Sequence, residues 1–230
     1  MTRATGDSAT AEAVEEVPRP RTTPRRAETR RRLVDAAFDV LTEHGIRDAR
    51  IELICDRAGF SRGAFYSNFT SKEDLFLAMY EEQMHERRER LRAVIDDVLA
   101  DNAVAGRQSL RETVRQIGTL FMEPLVPDQR WHLLVSEFRV HALRQPRLRE
   151  QAERAQRRFF DEIGDILADM LRRLDIALRV TPHDAVSVLA AIYEKALEQA
   201  LFEGVDATTD DRLLTEVLPE VLLSLVVREE

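Results

Sequence analysis

A short run of residues around Arg62 combines side chains suited to contact with nucleic acid. Gly59 and Gly63 allow a tight turn and a close approach of the backbone to a partner. Arg62 can donate two hydrogen bonds to the O6 and N7 atoms of a guanine in the major groove. Phe65 and Phe69, four residues apart, give the run an apolar side that can anchor it to neighbouring helices. This combination predicts a small helix that presents DNA-contacting residues on its outer face.

Three helices are predicted in and before this run, and they give it a defined position. Apolar residues at i, i+3, i+4 and i+7 mark a first helix from Glu28 that Gly45 ends, and a second helix over Ile51–Ala58. Ser61 is the expected N-cap of a third helix that ends near Asn68. Two helices joined by a tight turn form the helix-turn-helix plan, in which the second helix enters the DNA major groove. Its outward face is predicted to carry Arg62, Gly63, Ala64 and Ser67.

The remainder of the chain is also predicted to be helical. Ser71 and Asp74 form a shortened capping box that begins a long fourth helix. Five further helices follow, and Thr181-Pro182 marks the start of one of them. The predicted fold class is therefore all-α, with an N-terminal three-helix domain, a C-terminal helical domain, about nine helices in total and no strand.

The charge of the chain is unevenly distributed. The total is −8 at neutral pH, which by itself argues against binding to nucleic acid. Residues 18–72, however, contain twelve Arg or Lys residues and seven acids, whereas the rest of the chain is acidic. A basic segment joined to an acidic body indicates two different tasks. The basic arm from Arg19 to Arg26 is expected either to enter a minor groove or to be a solvated tail.

Composition and motifs exclude several other classes of protein. One cysteine, Cys55, rules out a disulfide framework, and its place on an apolar helix face indicates a core residue rather than a nucleophile. None of the five histidines has metal-ligand spacing, and no P-loop, G-x-S-x-G or G-x-G-x-x-G motif occurs. We therefore expect no enzyme activity, no metal and no other cofactor. No apolar run is long enough to span a membrane and no signal-like segment opens the sequence, so a cytoplasmic protein is expected.

The residues from Ala58 to Leu75 closely resemble the DNA-binding signature of TetR family transcriptional regulators. The sequence reads A-G-F-S-R-G-A-F-Y-S-N-F, followed after one residue by S-K-E-D-L. The family pattern is close to A-G-V-S-x-G-x-x-Y-x-x-F-x-S-K-E-x-L. The resemblance covers roughly residues 28 to 80, and beyond it only the helical character agrees. It implies a dimeric DNA-binding regulator whose C-terminal domain binds a small molecule.

The resemblance also implies a set of DNA contacts. Tyr66 is expected to donate its hydroxyl to a phosphate, and Lys72 is expected to add charge at a helix N-terminus that already favours phosphate. One position departs from the family, because Arg50 stands where a Thr or Ser usually caps the second helix, and Asp48 is the expected replacement cap. The complete set of expected DNA-binding residues is Thr29, Arg30, Arg50, Ser61, Arg62, Gly63, Ala64, Tyr66, Ser67, Asn68 and Lys72.

The resemblance implies two roles for the C-terminal helices. Helices between about residues 72 and 180 are expected to enclose an apolar pocket, and the last two helices are expected to pair with those of a second subunit. The expected pocket residues, for each of which a plain packed core is the alternative, are Phe121, Met122, Trp131, Leu134, Phe138, His141, Phe160, Ile163, Met170 and Tyr193. The expected dimer-interface residues are Leu189, Ala190, Ala196, Leu197, Ala200, Leu218 and Leu222.

The sequence thus predicts a transcriptional regulator that binds a pseudo-palindromic DNA operator as a homodimer. We expect a repressor that a small-molecule effector relieves. The alternatives are an activator, an effector-independent regulator, and a helical interaction module without DNA binding. The expected domains are a disordered arm over 1–24, the DNA-binding domain over 25–71, and the ligand-binding and dimerisation domain over 72–230.

Overall fold

The computed structural model describes residues 24–100, 109–122, 129–205 and 211–228. These residues form nine α-helices, which confirms the all-α class and the number of helices predicted from the sequence. Except for Pro24, the expected arm lies outside the described residues. The helices are α1 (Pro24–Asp48), α2 (Ile51–Ala58), α3 (Arg62–Tyr66), α4 (Lys72–Ala100), α5 (Leu110–Met122), α6 (Gln129–Leu143), α7 (Pro146–Arg172), α8 (Pro182–Glu203) and α9 (Leu218–Leu225), and a π-helical turn over Leu213–Val217 precedes α9.

The first three helices adopt the predicted helix-turn-helix arrangement. α1 begins at Pro24, because a proline in the first turn of a helix gives up no hydrogen bond. As predicted, the regular helix stops at Gly45, where the backbone is not helical, and one short turn follows it within α1. Gly45 has a φ of 74°, a left-handed conformation that bends the helix, and helical structure resumes as far as Asp48. After α2, the predicted turn occurs at Gly59, whose φ is 72°.

Side-chain caps hold the starts of three helices at the predicted places. At α4, the Ser71 hydroxyl oxygen accepts a hydrogen bond from the Asp74 N–H at 3.1 Å, and the Asp74 carboxylate accepts one from the Thr70 N–H at 2.8 Å. Ser61 and Thr181 cap α3 and α8, each by accepting an N–H from three residues further on. These caps fix where the short helix α3 begins and therefore which residues lie on its outer face.

The prediction of no strand was wrong. Ile176–Leu178 (β1) pairs antiparallel with Val226–Arg228 (β2), with Ile176 opposite Arg228. β1 follows α7 after a tight turn in which Asp175 has a φ of 55°, and β2 follows α9 directly. Strands of three residues are too short to produce a period-two pattern in a sequence. Their pairing joins the C-terminal ends of α7 and α9.

The apolar interior consists of two clusters. The first contains side chains from α1, α2 and α3, from the first half of α4, and from α6, including Trp131, Leu134 and Phe138. The second contains side chains from the second half of α4 and from α5, α7, α8 and α9. Because α6 packs into the first cluster, the core of the three N-terminal helices continues into the C-terminal part of the chain, across the domain boundary expected at residue 71.

The backbones of α7 and α8 approach each other closely. α7 and α8 are in close contact at Gly164, where a Cβ atom would lie only 2.9 Å from the backbone carbonyl carbon of Pro182. A larger residue would therefore push apart the two helices that enclose much of the C-terminal core.

Within the part of the chain that the structure describes, no helix is both long and apolar enough to cross a membrane.

Candidate nucleic-acid interface and ligand cavity

α3 presents its outer face to solvent. Phe65 is fully buried and holds the helix against the first core cluster, while Tyr66 is 50% exposed. The Tyr66 ring packs edge-on against the Phe65 ring, with the two centroids 5.3 Å apart. The Tyr66 hydroxyl is therefore carried by an anchored ring, which suits a contact that positions a phosphate. Of the residues predicted to contact DNA around α3, Ser61, Arg62, Gly63 and Ser67 are exposed, and Ala64 and Asn68 are half-buried.

Arg62 reaches across to α2. Its guanidinium pairs with the Glu52 carboxylate at 2.7 Å and lies 5.9 Å from the centroid of the Tyr66 ring. Both members of the ion pair are about half exposed, and pairs of this kind contribute little net free energy in water. A guanine or a phosphate can therefore displace Glu52 at low cost.

Arginines of α1 hold the end of α3 in place. The Arg26 guanidinium donates to the Ser67 carbonyl at 3.0 Å, and the Arg30 guanidinium donates to the Asn68 carbonyl at 3.4 Å. Arg30 also lies 4.4 Å from the centroid of the Phe69 ring. Positive charge at the C-terminal end of a helix is favourable, because the exposed carbonyls there carry partial negative charge. Arg26, which belongs to the basic arm, and Arg30, which was predicted to contact DNA, thus also hold the end of α3.

A third arginine makes similar contacts with α2. Together, Arg26, Arg30 and Arg32 form an arginine clamp on α3 and α2. The Arg32 guanidinium donates to the Ala58 carbonyl at 2.8 Å and lies 4.8 Å from the centroid of the Phe60 ring. These contacts were not predicted from the sequence, although the spacing of four residues between Arg26 and Arg30 indicates that both face the same side of α1.

Lys72 contacts the backbone between α1 and α2. Its ammonium group donates to the Arg47 carbonyl at 2.9 Å and to the Ala49 carbonyl at 3.2 Å. An ammonium group has three N–H donors, so one remains for a phosphate. The predicted phosphate contact stays a prediction, and Lys72 has a structural task in addition.

Other predicted phosphate contacts make local hydrogen bonds. The Thr29 hydroxyl donates to the Arg25 carbonyl one turn earlier, at 2.9 Å, and the Asn68 amide donates to the Ala64 carbonyl at 2.8 Å. Arg50 is exposed at the N-cap of α2 and forms no capping hydrogen bond through its side chain. Asp48, expected to take over that cap, instead ends α1.

Glu137 joins α6 to the end of α1. One of its carboxylate oxygens accepts a hydrogen bond from the Ile46 N–H at 3.0 Å and from the Arg47 N–H at 3.4 Å. The other carboxylate oxygen would lie 3.0 Å from a Cβ atom at Gly45. The bend at Gly45 therefore admits a carboxylate from another helix, and this contact was not visible in the sequence because it joins residues about ninety positions apart.

A cavity of about 120 Å³ lies among α4, α5, α6, α7 and α8. Five of the residues predicted for the pocket line it, namely Phe121, Trp131, Phe160, Ile163 and Tyr193. Residues that the sequence analysis did not assign to a pocket also line it, among them Tyr80, Met84, Arg87, Arg139, Phe159 and Glu194.

Four predicted pocket residues lie elsewhere. Leu134 and Phe138 belong to the first core cluster, because they point from α6 toward α1 and α4. Met170 is packed in the second cluster. His141 lies near the far end of α6, 3.4 Å from the Glu73 carboxylate. The side chain of the remaining predicted pocket residue, Met122, lies outside the described part of the structure.

The lining of this cavity also contains polar and charged residues from several helices. The Arg139 guanidinium donates two hydrogen bonds to the Glu194 carboxylate, at 2.9 and 2.7 Å, and these bonds hold the pKa of Glu194 below its ordinary value. Burial lowers the pKa of the His132 imidazole and raises the pKa of Tyr80 to about 12. Both Tyr80 and His132 are therefore neutral near pH 7.

The residues predicted for the dimer interface face inward within the subunit. Six of the seven are at most 5% exposed, namely Leu189, Ala196, Leu197, Ala200, Leu218 and Leu222. The seventh, Ala190, lines the cavity. The outward surface of α8 instead carries Val188, which is 43% exposed, and Phe202, which is 83% exposed. The dimer itself stays a prediction, and an interface on α8 would use its outward residues.

The three N-terminal helices match a known protein family. The profile of "Bacterial regulatory proteins, tetR family" matches residues 33–79, which cover most of α1, all of α2 and α3, and the start of α4. Residues 33–79 therefore carry the N-terminal domain of the TetR family. The transcriptional regulator SrpR of Pseudomonas putida is 38% identical over 58 residues, which make up 25% of this chain and 27% of that protein.

Solved structures share the fold of this chain over most of its length. A structure assigned to the family from Mesorhizobium loti has a TM-score of 0.66 and 19% identity, and the similarity covers 89% of this chain and 99% of that one. The regulator FadR of Bacillus subtilis, crystallised with stearoyl-CoA, has a TM-score of 0.56 and 18% identity, with coverage of 84% and 97%. By sequence, the chain spans less than half the length of the first curated relatives that it matches.

Proposed function

We propose that this TetR-family protein is a transcriptional regulator that binds an operator as a homodimer and responds to a small molecule. The observation that carries the proposal is the outer face of α3. There Arg62, Ser67 and the Tyr66 hydroxyl are exposed together on a helix that Ser61 caps and Phe65 anchors. This is the arrangement that a recognition helix needs to enter the major groove.

The positive charge around α3 supports DNA rather than another partner. The arginines that clamp α3 and α2 are at or near the surface of an acidic protein. Phosphate contacts by such residues position a DNA-binding protein, whereas contacts to base edges give it specificity. Arg62 is the side chain on this face that can read a guanine.

The cavity supports control by a small molecule. It is lined by α4 and α6, and both helices also pack into the first core cluster together with α1. A ligand can change operator affinity if it binds two arrangements of these helices with different affinity. We propose relief of repression as the outcome, and activation is the alternative that a reporter assay would distinguish.

The test compares Arg62→Ala and Lys72→Ala across a salt series, with the DNA upstream of the gene and a scrambled duplex. Arg62→Ala is expected to cost about 1–3 kcal/mol on the operator and much less on the scrambled duplex. Lys72→Ala should weaken both by similar amounts and lower the salt slope by about one per half-site. Lys72→Ala must be shown to remain folded, since its ammonium group also holds two backbone carbonyls.

Two outcomes would contradict the proposal. Equal losses for both variants on both duplexes would show that the roles are assigned wrongly. Binding that does not depend on salt or sequence would favour the alternative of a helical interaction module. Tyr66→Phe serves as the matched conservative variant, because it keeps the packed ring and removes only the hydroxyl.

A further inference from the structure

The corner between α6 and α7 carries two exposed arginines. Arg144 directly follows the last residue of α6, and Arg147 lies in the first turn of α7. Within the described residues, neither guanidinium forms an ion pair or a hydrogen bond. The arginines of α7 from residue 154 onward differ, because each of them pairs with a carboxylate. The positive charge of the corner is therefore left for a partner outside the subunit.

Contacts of α6 and α7 place this corner against the N-terminal helices. His141, in the last turn of α6, lies 3.4 Å from the Glu73 carboxylate in the first turn of α4. The Arg144 N–H donates to the His141 carbonyl at 3.3 Å, so Arg144 follows closely on this contact. Leu148, the residue after Arg147, is 5% exposed and belongs to the first core cluster. The corner is thus packed beside the start of α4.

Ion pairs between α4 and α7 show that both helices begin at the same end of the molecule. Arg158 of α7 lies 3.8 Å from Glu81 of α4, and further along both helices Arg88 of α4 pairs with Glu162 of α7. The two helices therefore run in the same direction. Glu81 is nine residues from the start of α4 and Arg158 is eleven residues from Arg147, which correspond to about 14 and 17 Å of helix. Arg147 therefore lies within about one turn of the level at which α4 begins.

The start of α4 is surrounded by cationic side chains from three parts of the chain. They are Arg47 and Arg50 between α1 and α2, Lys72 on α4, and Arg144 and Arg147 at the corner. The carboxylates in this region are mostly engaged inside the subunit. Asp74 and Glu137 accept backbone N–H groups, and Glu73 faces His141, which leaves Asp48 as the exposed acid. The surface presents more positive than negative charge to solvent.

We propose that Arg144 and Arg147 bind the phosphate backbone of DNA, next to the phosphate that Lys72 is proposed to contact. The inference rests on the proposed function, because it extends the surface of α3 and α4 that meets the operator. The guanidinium fork matches the oxygens of a phosphate in geometry as well as in charge. Phosphate contacts position a protein without reading sequence, so the corner adds affinity on any duplex.

The corner also joins the two helices that line the cavity. α6 lines it through Trp131 and His132, and α7 lines it through Phe159 and Phe160. A ligand that binds two arrangements of α6 and α7 with different affinity therefore also changes how the corner meets DNA.

The test measures the affinity of the full chain for two duplexes across a salt series. The probes are the DNA upstream of the gene and a scrambled duplex of the same length. Arg144→Gln and Arg147→Gln each remove one charge at a solvent-exposed position. Loss of one phosphate contact in each half-site lowers the salt slope of a dimer by about 1.8. The advantage of the wild type over either variant should therefore shrink about tenfold between about 50 and 200 mM salt, on both duplexes.

Arg90→Gln is the matched control for net charge. Arg90 is exposed and forms no ion pair within the described part of the chain. It lies eighteen residues after Lys72 on the same helix, which is about 27 Å away and beyond the screening length of about 10 Å at 0.1 M salt. Arg90→Gln should keep the salt slope of the wild type, and circular dichroism checks that all three variants are folded.

A cleavage reagent gives the position of the corner on DNA. The chain has one native cysteine, Cys55, which is buried, so an introduced exposed cysteine is labelled selectively. Arg147→Cys carrying an iron–EDTA group should cut the operator strands beside the half-site. Arg90→Cys with the same group should leave the duplex uncut.

The outcomes separate this inference from the proposed function. Wild-type slopes in both Arg144→Gln and Arg147→Gln, with Arg62→Ala still weakening operator binding, overturn the inference and keep the regulator. An equal loss of slope in Arg90→Gln also overturns it, because net charge alone would then explain the effect. A loss confined to one corner variant assigns the phosphate contact to that arginine. A wild-type protein that binds neither duplex refutes the proposed function, and this inference with it.

Discussion

Replacing Glu137 with alanine tests the contact between α6 and the end of α1. The Glu137 carboxylate accepts from the Ile46 N–H at 3.0 Å and, less closely, from the Arg47 N–H at 3.4 Å. Ile46 is only 1% exposed, so water cannot easily replace the lost acceptor. The variant removes the two hydrogen bonds by which Glu137 of α6 holds the backbone just after the bend at Gly45.

The expected loss of stability follows from the type of hydrogen bond that Glu137→Ala removes. Hydrogen bonds to charged groups contribute about 1.5–3 kcal/mol, and the stronger of the two contacts here has good length. Glu137→Ala should therefore lower the free energy of unfolding by about 2 kcal/mol, which for a chain of this size lowers Tm by about 4–8 °C. Glu137→Gln keeps an acceptor oxygen and should lose about half as much.

Thermal and urea unfolding, followed by circular dichroism, measure these losses. Glu153→Ala is the matched control, because Glu153 is an exposed glutamate that pairs with Arg157 one turn away on α7. That control should change stability by less than about 0.5 kcal/mol. The reasoning is refuted if Glu137→Ala is as stable as the wild type, or if Glu137→Gln and Glu137→Ala lose the same amount.

Two further predictions concern the dimer and the pH dependence of stability. Phe202→Glu should convert the protein from a dimer to a monomer without unfolding it, since the side chain is 83% exposed. Light scattering measures the mass in solution, and a variant that is still a dimer at micromolar concentration would exclude this part of α8 from the interface. Leu222→Glu places a charge at a residue that is 1% exposed, so it should unfold the subunit instead. Burial lowers the pKa of the His132 imidazole in the folded protein. On acidification the imidazole is therefore protonated in the unfolded chain before it is protonated in the folded one, and the folded state loses stability as the pH falls below about 6.5. His132→Asn should show a shallower loss of stability on acidification, and an unchanged pH profile would show that His132 is not the group responsible.

The local signals in the sequence predicted the helix starts and the helix-turn-helix region well. Ser61, Ser71 and Thr181 cap the helices that they were expected to cap, because an N-cap needs only a hydroxyl at the correct place in a few residues. The same locality explains the burial of Phe65 and the exposure of Arg62. The clamp of arginines on α3 was missed because it depends on how α1 packs against α3, which no short segment of sequence determines.

The C-terminal half was harder to predict for a physical reason. An apolar stripe on a helix shows that one face is buried, but it does not show whether the same subunit, a second subunit or a ligand covers that face. Leu222 satisfies the pattern of a dimer interface and is buried within the subunit. Phe138 and Phe160 are equally suited to a core or a cavity, and only the rotation of α6 and α7 places the first in the core and the second at the cavity.

Trp131 connects the cavity to α1 and α4 through packed rings. One side of the residue lines the cavity. Its ring stacks with Phe76 of α4 at 6.2 Å between centroids and with Phe38 of α1 at 6.3 Å. A closely packed interior cannot absorb a displaced ring without moving its neighbours. A ligand that shifts Trp131 therefore acts on α1 and α4, which pack beside α3 or follow it in the chain. Glu137, less than two turns along α6 from Trp131, hydrogen-bonds to the backbone just after the bend at Gly45 and so ties the same helix to the end of α1.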